Sequence, residues 1–70
     1  MDEKLLRLMK LVEHWAEHND EHAQRYNESA KEAEDVGLTK VAAELEKAYS
    51  EALKVSEHLR MALSEIEGSG

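Results

Sequence analysis

The sequence predicts an all-α fold in which two antiparallel helices form a hairpin and two hairpins assemble into a four-helix bundle. Three observations lead to this prediction. The 70 residues include no proline, and 36% are charged, with Ala, Glu, Leu and Lys abundant, as in helical proteins. One interior glycine, Gly37, divides the chain into two halves of similar length. Each half carries its apolar residues at the spacing of an amphipathic helix.

The first helix is expected over about residues 3–36. Asp2 is placed as its N-cap, where a carboxylate accepts a hydrogen bond from a backbone N–H of the first turn. Gly37 is suited to the left-handed conformation that ends a helix, and Leu38 is placed for the hydrophobic contact that accompanies it. The sequence therefore ends the first helix at Gly37.

The second helix is expected over about residues 39–67, with Thr39 as its N-cap. The connection at residues 37–38 is short enough to make the two helices antiparallel, so residues 1–67 are expected to form one helical hairpin. The last residues, 68–70, read Gly-Ser-Gly and are expected to be a flexible tail or a cloning remnant.

The apolar residues predict the buried face of each helix. On the first helix the apolar arc holds Leu5, Leu8, Met9, Val12, Trp15, Ala16, Ala23, Tyr26 and Ala30. On the second it holds Val41, Leu45, Ala48, Ala52, Val55, Leu59, Leu63 and Ile66. Four further apolar residues lie outside both arcs: Leu6, Leu11, Leu53 and Met61. Because a hairpin has one seam, we expect a homodimer to cover them. A monomer with scattered exposed aliphatic residues is the alternative.

Charge and composition argue against several classes of function. The net charge of −7 argues against a nucleic-acid partner, because phosphate binding requires a basic face. No apolar run approaches the roughly 20 residues that span a bilayer, so no membrane partner is expected. The chain has no cysteine, which excludes disulfides and thiolate metal sites. A cytoplasmic protein is the default expectation, with an unidentified protein partner left open.

Three of the four histidines lie at four-residue spacing, as His14, His18 and His22. An α-helix stacks such residues along one side. The helical wheel puts His18 and His22 beside the apolar arc and His14 on its shoulder, with Asn19 in the centre of the arc. In an antiparallel hairpin that turns at Gly37, Asn19 lies opposite Ser56. The sequence therefore predicts a polar layer at mid-height that contains Asn19, Ser56, His18 and His22, with His58 as a further candidate.

Three interpretations of this layer remain open. The first is non-enzymatic binding of a divalent transition metal, since imidazoles four residues apart can chelate one ion. His14, His18 and His22 are then the ligands, with His58 as a candidate fourth, and zinc or nickel is favoured over cobalt or copper. The second is a metal-free self-association module in which buried polar residues set helix register. The third is a pH switch, because clustered histidines gain charge together as the pH falls.

The sequence does not favour an enzyme. The segments at residues 14–18 and 18–22 match H-x-x-E-H, a zinc-peptidase pattern in which the glutamate is the base. Glu17 and Glu21 point away from the neighbouring histidines on the wheel, and a hairpin this small offers no cleft for a peptide. The Glu-x-x-His spacing of di-iron bundles is also absent.

The run H-W-x2-H-N-x2-H-A at residues 14–23, followed by Gly37-Leu38, resembles a small His-rich helical-hairpin domain of unknown function. That domain is associated with anaerobic bacteria and archaea, at times beside small nickel-binding accessory proteins. The resemblance implies transition-metal handling, with nickel among the candidates. The only positions to which we transfer this implied role are His14, His18 and His22.

Overall fold

The computed structural model describes residues 2–69, with side chains described through residue 68, and consists of two long helices that pack against each other. Helix α1 spans Glu3–Asp35 and helix α2 spans Thr39–Ser69. This confirms the predicted all-α antiparallel hairpin. Neither helix is long and apolar enough to cross a membrane over the residues described.

Helix α1 begins at a capping residue, and helix α2 extends beyond its predicted end. The Asp2 carboxylate accepts a hydrogen bond from the backbone N–H of Lys4 at 3.1 Å, as an N-cap does. At the other end of the chain, Gly68 and Ser69 continue α2, although their composition predicted a tail. Gly70, the last residue of that predicted tail, lies outside the described residues.

The turn is closed by backbone hydrogen bonds around a left-handed glycine. Gly37 has φ of +82°, as its predicted role requires. The Leu38 N–H donates to the carbonyl of Ala33 at 2.8 Å, and the Gly37 N–H donates to that of Glu34 at 3.0 Å. These two bonds define a Schellman motif, which satisfies carbonyls that the helix end would otherwise leave free.

The seam between the helices has a seven-residue repeat, and every position in it is buried or half-buried. Its members are Leu5, Met9, Val12, Ala16, Asn19, Ala23, Tyr26, Ala30 and Ala33 in α1 and Ala42, Leu45, Tyr49, Ala52, Ser56, Leu59, Leu63 and Ile66 in α2. A seven-residue repeat keeps two helices in contact along their whole length by winding them gently around each other.

The seam is narrower than the predicted apolar arcs. Leu8, Trp15, Val41 and Val55 were expected in the core, but between 44% and 48% of each remains exposed. A wide arc is buried when a helix has neighbours on two sides, whereas one neighbour covers a single stripe. The most buried apolar residues are Val12, which is 6% exposed, and several alanines. No large side chain within the described residues is completely buried.

Candidate functional site

Asn19 and Ser56 form a polar layer at mid-height in the seam, as predicted. The Asn19 amide nitrogen donates to the Ser56 hydroxyl oxygen at 2.8 Å and to the carbonyl of Ala52 at 2.6 Å. Ser56 is 4% exposed, so its hydroxyl depends on protein partners for hydrogen bonding. Asn19 thus uses both amide protons to join α1 to α2.

An ion pair extends this layer to one side of the hairpin. The Ser56 hydroxyl donates to Asp20 Oδ1 at 2.5 Å, and the Arg60 guanidinium contacts both carboxylate oxygens, at 3.2 and 2.6 Å. The hydrogen bond from Arg60, and after it that from Ser56, lowers the pKa of Asp20 below its ordinary value of 3.8. Asp20 is therefore ionised in the folded protein at neutral pH, and its two-point contact with Arg60 fixes the relative height of the helices.

The composition of the layer corrects the sequence prediction. His18 and His58 are exposed and His22 is half-buried, and none of them hydrogen-bonds within the layer in the described structure. Asp20 and Arg60, which the helical wheel did not predict, take part instead. The sequence could have indicated this ion pair, because Asp20 and Arg60 each directly follow a seam residue and lie at similar heights on the two antiparallel helices. No buried side-chain nitrogen or oxygen among the described residues lacks a hydrogen-bond partner. Hydrogen bonds alone therefore satisfy this layer.

The histidines form a row of rings along α1 that ends at a seam tyrosine. The ring centroids of His14 and His18 lie 5.8 Å apart with nearly parallel planes, and those of His18 and His22 lie 4.6 Å apart and edge to face. His22 is followed by Tyr26 at 6.3 Å. The row thus crosses the helix surface from solvent, at His14, to the seam, at Tyr26. His18 and His22 are the closest pair.

His58 lies on the other helix and does not join this row. Within the described residues, no three His, Asp or Glu side chains are placed to hold one metal ion. His18 and His22 can supply two imidazoles from adjacent turns, so a complete site within one chain would need further ligands.

The exposed hydrophobic residues are concentrated on one side of the hairpin. Residues that directly follow a seam position share the side that carries the Asp20–Arg60 pair, and residues that directly precede one lie on the opposite side. Five large hydrophobic residues precede seam positions and are 41–48% exposed; we call them the apolar flank: Leu8, Leu11, Trp15, Val41 and Val55.

Three of the histidines share this side. His18, His22 and His58 also directly precede seam residues, whereas His14 lies on the outer surface of α1. The other exposed large hydrophobic residues are dispersed: Leu6 and Leu53 on the ion-pair side, Val36 and Leu38 at the turn, and Met61 on the outer surface of α2. The apolar flank is therefore a surface on which hydrophobic residues and histidines occur together.

The fold and these surfaces define a class of protein, the small helical hairpin with a hydrogen-bonded polar layer and one unpaired apolar side. The family described as "Domain of unknown function (DUF8180)" matches residues 8–66, a range that includes all four histidines, and the chain belongs to this family. No curated protein and no solved structure matches the chain.

Proposed function

We propose that this protein is a self-association module, in which two hairpins pair through the apolar flank to form a four-helix bundle. The observation that carries the proposal is the one-sided placement of Leu8, Leu11, Trp15, Val41 and Val55, each close to half exposed. A two-helix chain of this size buries too little apolar surface to be robustly stable alone. A second copy on the flank would convert the single seam into a shared core.

The polar layer supports this function by setting register. A buried Asn that must meet a polar partner favours one axial alignment of helices over the alternatives. Here Asn19 meets Ser56, and the Asp20–Arg60 contact repeats the constraint beside it. The flanks of two copies can match along their length only if each hairpin keeps a single register.

Trp15 provides the sharpest test of the interface. It is 47% exposed, which leaves roughly 120 Å² of a side chain of about 250 Å² for a partner to cover, or about 3 kcal/mol per copy at about 25 cal/mol per Å². Trp15→Glu should therefore raise the dimer dissociation constant by at least about 100-fold. Light scattering after size exclusion measures the change. Met61→Glu is the matched control, since Met61 is 55% exposed on the outer surface of α2. Equal weakening by both variants would contradict the proposed interface.

A second candidate function is binding of a divalent transition metal by the histidine row, and the His18–His22 ring separation of 4.6 Å favours it. His14, His18 and His22 supply the imidazoles, with His58 as a candidate fourth ligand and zinc or nickel as the favoured ion. The H-W-x2-H-N-x2-H-A run resembles a hairpin domain that at times lies beside small nickel-binding accessory proteins, which supports nickel as a candidate in addition to zinc.

Metal binding is tested on chelator-stripped protein. Zn²⁺ or Ni²⁺ at about 100 times its dissociation constant should stabilise the fold by about 2.7 kcal/mol, which is seen as a higher melting temperature. His22→Ala should abolish the shift. An unchanged melting temperature with a large excess of both ions would refute this second candidate.

A further inference from the structure

Two rows of side chains run along the edges of the apolar flank at seven-residue spacing. The row on α1 reads Lys4, Leu11, His18, Arg25 and Glu32, and the row on α2 reads Glu44, Glu51, His58 and Glu65. Because seven residues make close to two turns, each row stays on one edge of its helix. The charged members of the α1 row are Lys4, Arg25 and Glu32, so that edge carries a net charge of +1. The α2 row carries three glutamates, of which Glu44 and Glu51 form exposed ion pairs with Lys47 and Lys54. The α1 edge is therefore weakly basic and the α2 edge acidic.

The middle of the flank differs in size between the helices. On α1 three of its four positions carry bulky residues, Leu8, Trp15 and His22, and the fourth is Ser29, whereas on α2 every corresponding position is small or β-branched. The α2 positions are Val41, Ala48, Val55 and Ala62. One half of the flank therefore projects and the other half is recessed.

Two symmetric arrangements can cover the flank with a second copy. With the two-fold axis along the helices, each α1 faces the partner's α2 and both turns lie at the same end. With the axis across the helices, α1 faces α1 and α2 faces α2. The first arrangement sets bulky residues against small ones and the weakly basic α1 edge against the acidic α2 edge, with Arg25 level with Glu51 of the partner subunit. The second sets Trp15 against bulky residues and brings the two acidic edges together, which costs packing and electrostatic energy.

The seam fixes the heights at which the two edges meet. Asn19 and Ser56 are hydrogen-bonded and so lie level with each other. His18 precedes Asn19 and His58 lies two residues after Ser56 on the antiparallel helix, so these histidines share nearly one height. Within a hairpin they occupy opposite edges of the flank and cannot share an ion. In the first arrangement the two-fold axis carries the partner's His58 to the edge that holds His18.

We propose that the dimer forms with both turns at the same end and that each α1–α2 contact between copies creates a zinc-type site from His18 and His22 of one copy and His58 of the other. This inference rests on the proposed self-association. Three imidazoles and one water complete a tetrahedral site for Zn²⁺, and the symmetric dimer holds two such sites. The proposal accounts for the absence, among the described residues of one chain, of three grouped ligands.

Mixing complementary variants tests whether the site is shared between chains. His58→Ala keeps the histidine pair, and His18→Ala with His22→Ala keeps His58, so neither variant alone can complete a site. Loss of a ligand should weaken Zn²⁺ binding by at least about tenfold in each, since even supporting residues of metal sites contribute that much. Random pairing makes half of the refolded dimers mixed with one complete site each, which restores about a quarter of the tight sites. Asn27→Ala is the control, because Asn27 lies on the side of α1 opposite the flank, and it should bind Zn²⁺ as the wild type does.

Competition titration with a zinc indicator measures tight sites in each sample. Restored binding in the mixture supports a site shared between copies. Full binding by His58→Ala alone, or no restoration in the mixture, overturns the proposal.

A distance measurement tests the arrangement independently of metal. The chain has no cysteine, so Lys40→Cys carries a single spin label beside the turn. Turns at the same end place the two labels about 20–25 Å apart, the width of two helices of about 10–12 Å. Turns at opposite ends separate them by most of the 53 Å length of the hairpin. A long distance in a dimeric sample overturns this inference and leaves self-association standing, whereas a monomer at every concentration overturns both.

Discussion

Replacement of Asn19 by alanine tests whether hydrogen bonds across the seam hold the centre of the hairpin. The Asn19 amide donates to the Ala52 carbonyl at 2.6 Å and to the Ser56 hydroxyl at 2.8 Å. A single hydrogen bond contributes about 0.5–1.5 kcal/mol net to stability, so the loss of both should cost about 1–3 kcal/mol. Ser56 keeps its bond to Asp20, which prevents a larger loss.

This cost is large for so small a fold. At about 0.05–0.15 kcal/mol per residue, the whole chain has a free energy of unfolding of about 3.5–10 kcal/mol. A loss of about 2 kcal/mol, the middle of the range for Asn19→Ala, should therefore remove from about a fifth to somewhat over a half of the total. Urea unfolding followed by far-UV circular dichroism measures it, at one protein concentration because association adds to apparent stability.

Asn27→Ala is the matched control, because Asn27 is half-buried on the same helix and makes no side-chain hydrogen bond in the described structure. It should cost less than about 0.5 kcal/mol. An Asn19→Ala protein that unfolds at the wild-type urea concentration would refute the reasoning. Equal losses in the two variants would refute it as well.

Asn19→Leu separates stability from register. Burial of the leucine side chain contributes about 1.5–3 kcal/mol, which offsets the lost hydrogen bonds. We expect stability at or above that of the wild type, together with an altered oligomeric state, because the residue that sets alignment is gone. Unchanged assembly in sedimentation would contradict the register role.

Three further predictions concern the turn, the ion pair and the close helix contact. Gly37→Ala should destabilise the hairpin by about 1–2 kcal/mol, because φ of +82° is costly for a residue with a Cβ, and an unchanged urea midpoint would contradict this. The pKa of Asp20 is lowered by its bond from Arg60, so its stabilising contribution is complete above the ordinary value of 3.8 and disappears as the pH falls through the lower folded value. Below about pH 3.8, the melting temperature should therefore fall less steeply with decreasing pH in Asp20→Asn than in the wild type. Identical melting temperatures of the two proteins across this acid range would contradict a stabilising Asp20–Arg60 ion pair. Ala23, 1% exposed, leaves no room for a larger residue, so Ala23→Leu should cost about 1–3 kcal/mol in thermal unfolding, and a more stable variant would show that the helices approach less closely than described.

The sequence was sufficient for the parts of the structure that depend on local rules. Asp2 and Gly37 are residues whose preferred backbone roles decide helix ends, and both act as expected. The pairing of Asn19 with Ser56 followed from the turn position, because a turn at Gly37 brings these two residues to about the same height on antiparallel helices. These inferences require no knowledge of how wide the buried surface is.

The remaining features depend on how many neighbours each helix has. Trp15 and Val55 belong to apolar arcs, yet one partner helix covers only the seam and leaves them half exposed. The helical wheel placed His18 beside the seam but did not show that its side chain is exposed. How much of a side chain at the edge of the seam is buried depends on how closely the second helix packs. The Asp20–Arg60 ion pair was missed because it depends on whether the long arginine side chain can reach across to the other helix, and a helical wheel shows only the direction of each residue.

The apolar flank as an interface between two copies is the central claim, and sedimentation velocity of the wild-type protein across a wide dilution series tests it most directly. We predict a species of twice the 8.0 kDa chain mass at high concentration, which dissociates on dilution while the emission of Trp15 shifts to the red as water reaches it. A single 8.0 kDa species at every concentration, with constant Trp15 emission, would contradict it.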